Sequence, residues 1–114
     1  MGDEEKGSPR NSKAGGITIR KDGTICIHRK AKEKYGLEGR NFAAPSYDPA
    51  DSMLTVQFTD ESPTTFAISK EPGGTLAIKC PSFLDQNEIP FREGSKVLPI
   101  SSGEEGKEIK AKIE

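Results

Sequence analysis

The sequence predicts a mainly β fold, a single barrel built from two ββαββ-like repeats with short helices about a pseudo-twofold axis. Three observations predict it. Apolar residues alternate with polar ones over short runs, as in Ile17/Ile19, Ile25/Ile27 and Leu54/Val56/Phe58, which is the period of a strand with one buried face. The chain also repeats itself. Gly23-Thr24-Ile25-Cys26-Ile27 returns 51 residues later as Gly74-Thr75-Leu76-Ala77-Ile78, and Ile17-Thr18-Ile19-Arg20-Lys21 returns 49 residues later as Phe66-Ala67-Ile68-Ser69-Lys70. Gly39, Phe42, Leu54, Val56 and Phe58 return 55 residues later as Gly94, Val97, Ile109, Ala111 and Ile113. Finally, the whole chain has 114 residues. A unit of about 45 residues is too small to hold a core alone, so the two units must share one. A fused repeat of this kind closes its own barrel, and a monomer is expected to suffice.

Residues 1–16 carry charges, Gly, Ser and Pro with almost nothing apolar, and are expected to be a disordered tail. The barrel domain spans 17–114, with repeat 1 at 17–58, a polar linker at 59–65 and repeat 2 at 66–114. Residues 17–28 read as a hairpin turning at Asp22-Gly23, a dipeptide suited to a primed turn. Residues 29–36 (RKAKEKYG) change to helix formers, and Gly36 ends them. Leu37 is placed to close over the core. Residues 41–47 are extended, with Pro45 confining that strand to an edge or a bulge. Asp48-Pro49-Ala50-Asp51 is a turn and 53–58 a strand. In repeat 2, Phe66 and Ile68 stand for Ile17 and Ile19, and Glu71 to Gly74 form a longer turn. Leu76 and Ile78 mark the next strand. Pro81 opens a short helix that Asn87 stops in the left-handed region. Val97, Leu98 and Ile100 are extended, 101–106 is a loop, and Ile109, Ala111 and Ile113 form the last strand.

Seventeen Lys and Arg balance eighteen Asp and Glu, so no whole-protein attraction to nucleic acid or anionic lipid is expected. The balance is uneven along the chain. Residues 17–40 hold seven basic side chains against three acidic ones. Cys26 and Cys80 fall on opposite strand phases and read as two separate thiols. No run is long and apolar enough to span a bilayer, and no signal-peptide pattern appears. A cytoplasmic protein with no membrane association is the expectation.

Residues 19–58, IRKDGTICIHRKAKEKYGLEGRNFAAPSYDPADSMLTVQF, follow a recognisable order. A hairpin with a Gly turn leads into a short basic helix ending in Gly-Leu, then a Gly, an extended segment, an acidic turn and a closing apolar strand. This resembles the AbrB/MazE-type swapped-hairpin domain, and two such units in one chain resemble the fused, double-psi-like form. The resemblance covers repeat 1 well and repeat 2 through its likeness to repeat 1. It implies a β-barrel, a DNA-binding role and transcription regulation. It also implies recognition by basic side chains from both halves. Two departures stand out. The family usually has Pro at the end of the second strand, where repeat 1 has His28, and the helix of repeat 2 is short and not basic.

The candidate nucleic-acid-binding residues are therefore Arg20 and Lys21 at the first hairpin turn, and Arg29, Lys30, Lys32 and Lys34 on or beside the helix. Arg20 and Arg29 have the guanidinium fork suited to bidentate contacts. The plain alternative is a solvated helix face, with Glu33 pairing Arg29 or Lys30. Double-stranded DNA is the expected partner. A protein partner for the divergent second repeat is the rival reading, and an enzyme on the same barrel is a distant third. No catalytic residue, metal site or cofactor is assigned. His28 is the only histidine, and the carboxylates at 48, 51, 60 and 61 lie in turn contexts. No nucleophile elbow or phosphate-binding glycine loop occurs.

Overall fold

The computed structural model describes residues 16–113; the first fifteen residues of the predicted tail, and Glu114, lie outside the described residues. The sixteenth differs from expectation. Gly16 is buried, and its carbonyl accepts the His28 amide at 3.2 Å, so this residue belongs to the barrel domain.

Repeat 1 comprises β1 (Ile17–Ile19), β2 (Thr24–Ile27), α1 (Arg29–Lys34), β3 (Phe42–Asp48) and β4 (Met53–Phe58). Repeat 2 comprises β5 (Phe66–Lys70), β6 (Leu76–Lys79), α2 (Pro81–Gln86), β7 (Lys96–Leu98), β8 (Ile100–Glu104) and β9 (Glu108–Lys112). The strands run in the order β7-β1-β2-β6-β5-β3-β4-β9-β8, and every ladder is antiparallel. The two edge strands, β7 and β8, are separated in the chain by Pro99 alone. The sheet therefore runs from one edge straight into the other and is a nearly closed barrel. Proline suits that junction because it has no amide to donate.

The registers show how the halves are related. Cys26 pairs with Ala77, flanked by Ile25–Ile78 and Ile27–Leu76. Shifting one half by 51 residues exchanges the members of these pairs, so the pseudo-twofold axis passes through the Cys26–Ala77 pair. The axis also passes through Thr55–Lys110 in the β4–β9 ladder, where the shift is 55. One long strand of repeat 1, β3, is represented in repeat 2 by β7 and β8 broken at Pro99.

The hairpins need a correction. In both, residue i accepts from the glycine at i+3 and donates to the carbonyl at i+4, at Arg20 and again at Glu71. Gly23 and Gly74 have φ near +90°. Both are three-residue turns with a glycine bulge, not the two-residue primed turn expected at Asp22-Gly23, and the second is no longer than the first. The hairpin ladder thus equates Ile68, not Phe66, with Ile17. The two-residue difference falls instead in how β5 meets β3, where Phe66 opposes Ala43 as Ile17 opposes Leu98.

Inward positions also shift by one in two strands. Ala43 and Leu98 are buried, whereas Phe42 is only half-buried and Val97 is exposed. A strand alternates faces, so burying Ala43 beside Phe58 turns Phe42 outward. Phe91 is buried, and Phe83 is partly buried and packs against the core. Residues 101–104, expected as loop, continue β8, because the β9 backbone supplies a ladder that their polar side chains do not announce.

Both helices end in a Schellman motif. The Leu37 amide donates to Lys32 O at 2.9 Å, and Ile89 donates to Leu84 O at 2.9 Å. Leu37 and Ile89 are buried at equivalent places. The left-handed residue is Gly36 in the first helix and Glu88 (φ 57°) in the second, one position beyond the predicted Asn87. A side chain in that region costs roughly 1–2 kcal/mol relative to glycine. Glu88→Gly is therefore expected to raise stability by about 1 kcal/mol, read as a higher urea midpoint with an unchanged slope.

Candidate nucleic-acid interface

Each half's helix covers the other half's hairpin turn. Pro81 of α2 lies on Gly23, so close that an added Cβ would sit 2.5 Å from Pro81 Cβ. Arg29, the equivalent first residue of α1, lies on Gly74 through its Cγ and Cδ, with Lys32 Nζ nearby. Arg20 reaches the same second turn and forks onto Glu71, with Nη1–Oε2 at 2.9 Å and Nη2–Oε1 at 2.7 Å. Three of the six predicted basic residues, Arg20, Arg29 and Lys32, thus gather around residues 71–74.

All three already have an acidic neighbour. Besides the Arg20–Glu71 fork, Lys32 pairs with Glu38 at 3.3 Å, and Arg29 lies 4.0 Å from Glu33, the helical pairing that the sequence held open. Lys32 is the most withdrawn, its side chain only 12% exposed. Lys34 sits over the Tyr35 ring at 5.5 Å. Lys21 and Lys30 are exposed, and among the described residues neither has a carboxylate within ion-pair distance. Arg20 and Lys32 are therefore positioned as structural ties, and Lys21, Arg29, Lys30 and Lys34 as the accessible charges.

Glu71 is the residue that sequence reasoning missed. Its signal was present: Arg20 and Glu71 are the first residues of equivalent turns, 51 apart, and carry opposite charge. The fork holds the Glu71 carboxyl below its ordinary range, chiefly through the hydrogen bond from Arg20. Asp22 is also lowered, first by its bond to Thr24.

Beneath this surface lies Cys26, 2% exposed although it points away from Ile25 and Ile27. Arg20, Glu71 and Asp22 all act on it electrostatically, but burial dominates and pushes its thiol up to about 11. Burial alone pushes Cys80 up to about 12. Both are free thiols. Unfolded thiols ionise near 9.0, so these groups contribute stability that is present below that pH and lost as pH rises toward 11–12. The urea midpoint is expected to fall between about pH 8 and about pH 10, and less steeply in Cys26→Ala/Cys80→Ala.

Elsewhere the surface is shallow. A cleft of about 440 Å³ lies between the β4 end and the β8–β9 turn, lined by Gln57, Thr59, Thr64, Glu104 and Lys107. Among the described residues no group of three His, Cys, Asp or Glu is placed to hold a metal, and no helix is long and apolar enough to cross a membrane. His28 closes β2 with a 2.8 Å hydrogen bond between its Nε2 and Thr18 Oγ1. No protein-family model, curated protein or solved structure matches the chain.

Proposed function

We propose that the chain is a non-enzymatic nucleic-acid-binding domain that contacts duplex phosphates through Lys21, Arg29, Lys30 and Lys34. The observation that supports this reading is the one-sidedness of the charge on a two-sided fold. At the turn, Arg20 and Lys21 correspond to Glu71 and Pro72. On the helices, Arg29, Lys30, Lys32 and Lys34 correspond to Pro81, Ser82, Leu84 and Gln86. Not one basic residue has a basic counterpart. The resemblance of repeat 1 to swapped-hairpin DNA-binding domains agrees with this reading, but the one-sided charge argues for one contact surface per chain, not a symmetric pair. Such a surface suits an asymmetric site bound by a single copy, and regulation of transcription is the role it would serve.

With about four phosphates engaged, log affinity is expected to fall with log salt at a slope of about −3 to −4. Lys30→Ala and Lys34→Ala should each flatten the slope by about 1, whereas Glu33→Gln should strengthen binding by releasing Arg29. Fluorescence anisotropy on a labelled duplex measures both. Absence of binding at low salt would sink the proposal.

A second reading, a protein-interaction module on repeat 2, is favoured by one feature. Val97 on the edge strand β7 is the large hydrophobic residue exposed among the described ones, at 47%. Lys96, its neighbour in β7, lines a cleft of about 280 Å³ with Pro90, Phe91 and Gly94. Val97→Ser leaves duplex affinity unchanged if the first reading holds.

A further inference from the structure

We propose that the interface between the two halves is heterospecific: each half accepts only the complementary half, its own or that of a second copy of this chain, and Arg20–Glu71 is the selecting contact. This stands independently of nucleic-acid binding. The two residues occupy the same place in each half, since both open the turn and both make the same backbone bonds to the glycine three residues on and the threonine four residues on. Equivalent residues touch only close to the pseudo-twofold axis. In a barrel made of one half twice, this place would meet its own copy. Arg20 would face a second guanidinium and Glu71 a second carboxylate, at a separation now bridged by bonds of 2.7 and 2.9 Å. Only the mixed pair forms the two-bond fork.

The ladder positions on the axis discriminate in the same direction. Cys26 now packs against the small Ala77, and Thr55 opposes Lys110. Pairing the first half with itself places Cys26 on Cys26 at a buried position. Pairing the second half with itself places Lys110 opposite Lys110 and Glu71 against Glu71, and like charges across a ladder are unfavourable. Self-pairing therefore meets an obstacle in both halves. Pairing between copies meets none, because the surfaces are those already used within one chain. The connection that would have to open, residues 59–65, is exposed from 59 to 64.

The full chain provides the test. Arg20→Glu gives two acidic residues at the contact and Glu71→Arg gives two basic ones, so each variant is expected to unfold at lower urea than the parent. The double variant Arg20→Glu/Glu71→Arg should regain most of the loss. When the two single variants are unfolded together and refolded as an equal mixture, the first half of each meets a complementary second half only in the other. Native mass spectrometry is then expected to show a 1:1 heterodimer that neither variant forms alone. If a single variant fails to fold alone, the heterodimer still reads out the pairing. A double variant as unstable as the two losses added, or a co-refolded mixture without heterodimer, would overturn the proposal.

Discussion

Gly23→Ala is expected to destabilise the protein by about 3–4 kcal/mol, combining a left-handed backbone with an overpacked contact. Gly23 has φ +88°, and an added Cβ would lie 2.5 Å from Pro81 Cβ and 2.7 Å from Pro81 Cα. Neither atom can step aside, since Pro81 opens α2 and the Cys80 amide before it donates to Gly23 O at 3.0 Å. Phe91, 3.2 Å from the same added atom, blocks another escape. Two controls separate the contributions. Gly39→Ala, at φ +82° with nothing within 4 Å, should show only the backbone cost of roughly 1–2 kcal/mol. Gly74→Ala, at φ +91°, meets the flexible Cγ and Cδ of Arg29 and Nζ of Lys32, so it should fall between the two. Urea midpoints in the order Gly39→Ala, Gly74→Ala, Gly23→Ala, highest to lowest, are the expected result. Equal losses at Gly23 and Gly74 would show that Pro81 does not hold the turn.

That contrast also explains what the sequence conveyed. The copied glycines and the copied apolar skeleton were legible because both follow from backbone geometry, which the halves share. The offsets of 51 at β2–β6 and 55 at β4–β9 return in the registers. The offset of 49 at the first strand misled, because Phe66 resembles Ile17 in character while the hairpin ladder equates Ile68 with it. Ser101-Ser102-Gly103 was illegible as strand because its polar residues and glycine show no apolar alternation, although its ladder partner β9 is the next element along the chain, and the Tyr35 ring against Gly103 lies far away in sequence. The basic cluster was legible as composition. That Arg20 is tied across the axis was not, since a run of charge says nothing about which carboxylate a fold will bring to it.

Ile78→Ala and Ile25→Ala are each expected to cost about 3–4 kcal/mol, a large share of the roughly 5–15 kcal/mol that holds a domain together. Both side chains are fully buried, and they oppose one another across the β2–β6 ladder beside the axis. Because they share a partner and a cavity, the double variant should lose less than the sum of the two by about 0.5 kcal/mol or more. Their symmetry mates, Ile27 and Leu76, oppose one another on the other side of the axis and should respond alike. The shape of the transition is the sharper measurement. If each half held its own core, Ile78→Ala would weaken repeat 2 alone and split unfolding into two steps. The core instead draws Ile17, Ile25, Leu54 and Val56 from one half and Ile78, Leu84, Leu98 and Ile109 from the other. A substitution in either half therefore removes packing from both, and unfolding followed by circular dichroism should remain a single transition displaced to lower urea. A two-step transition would mean that each half holds a core of its own.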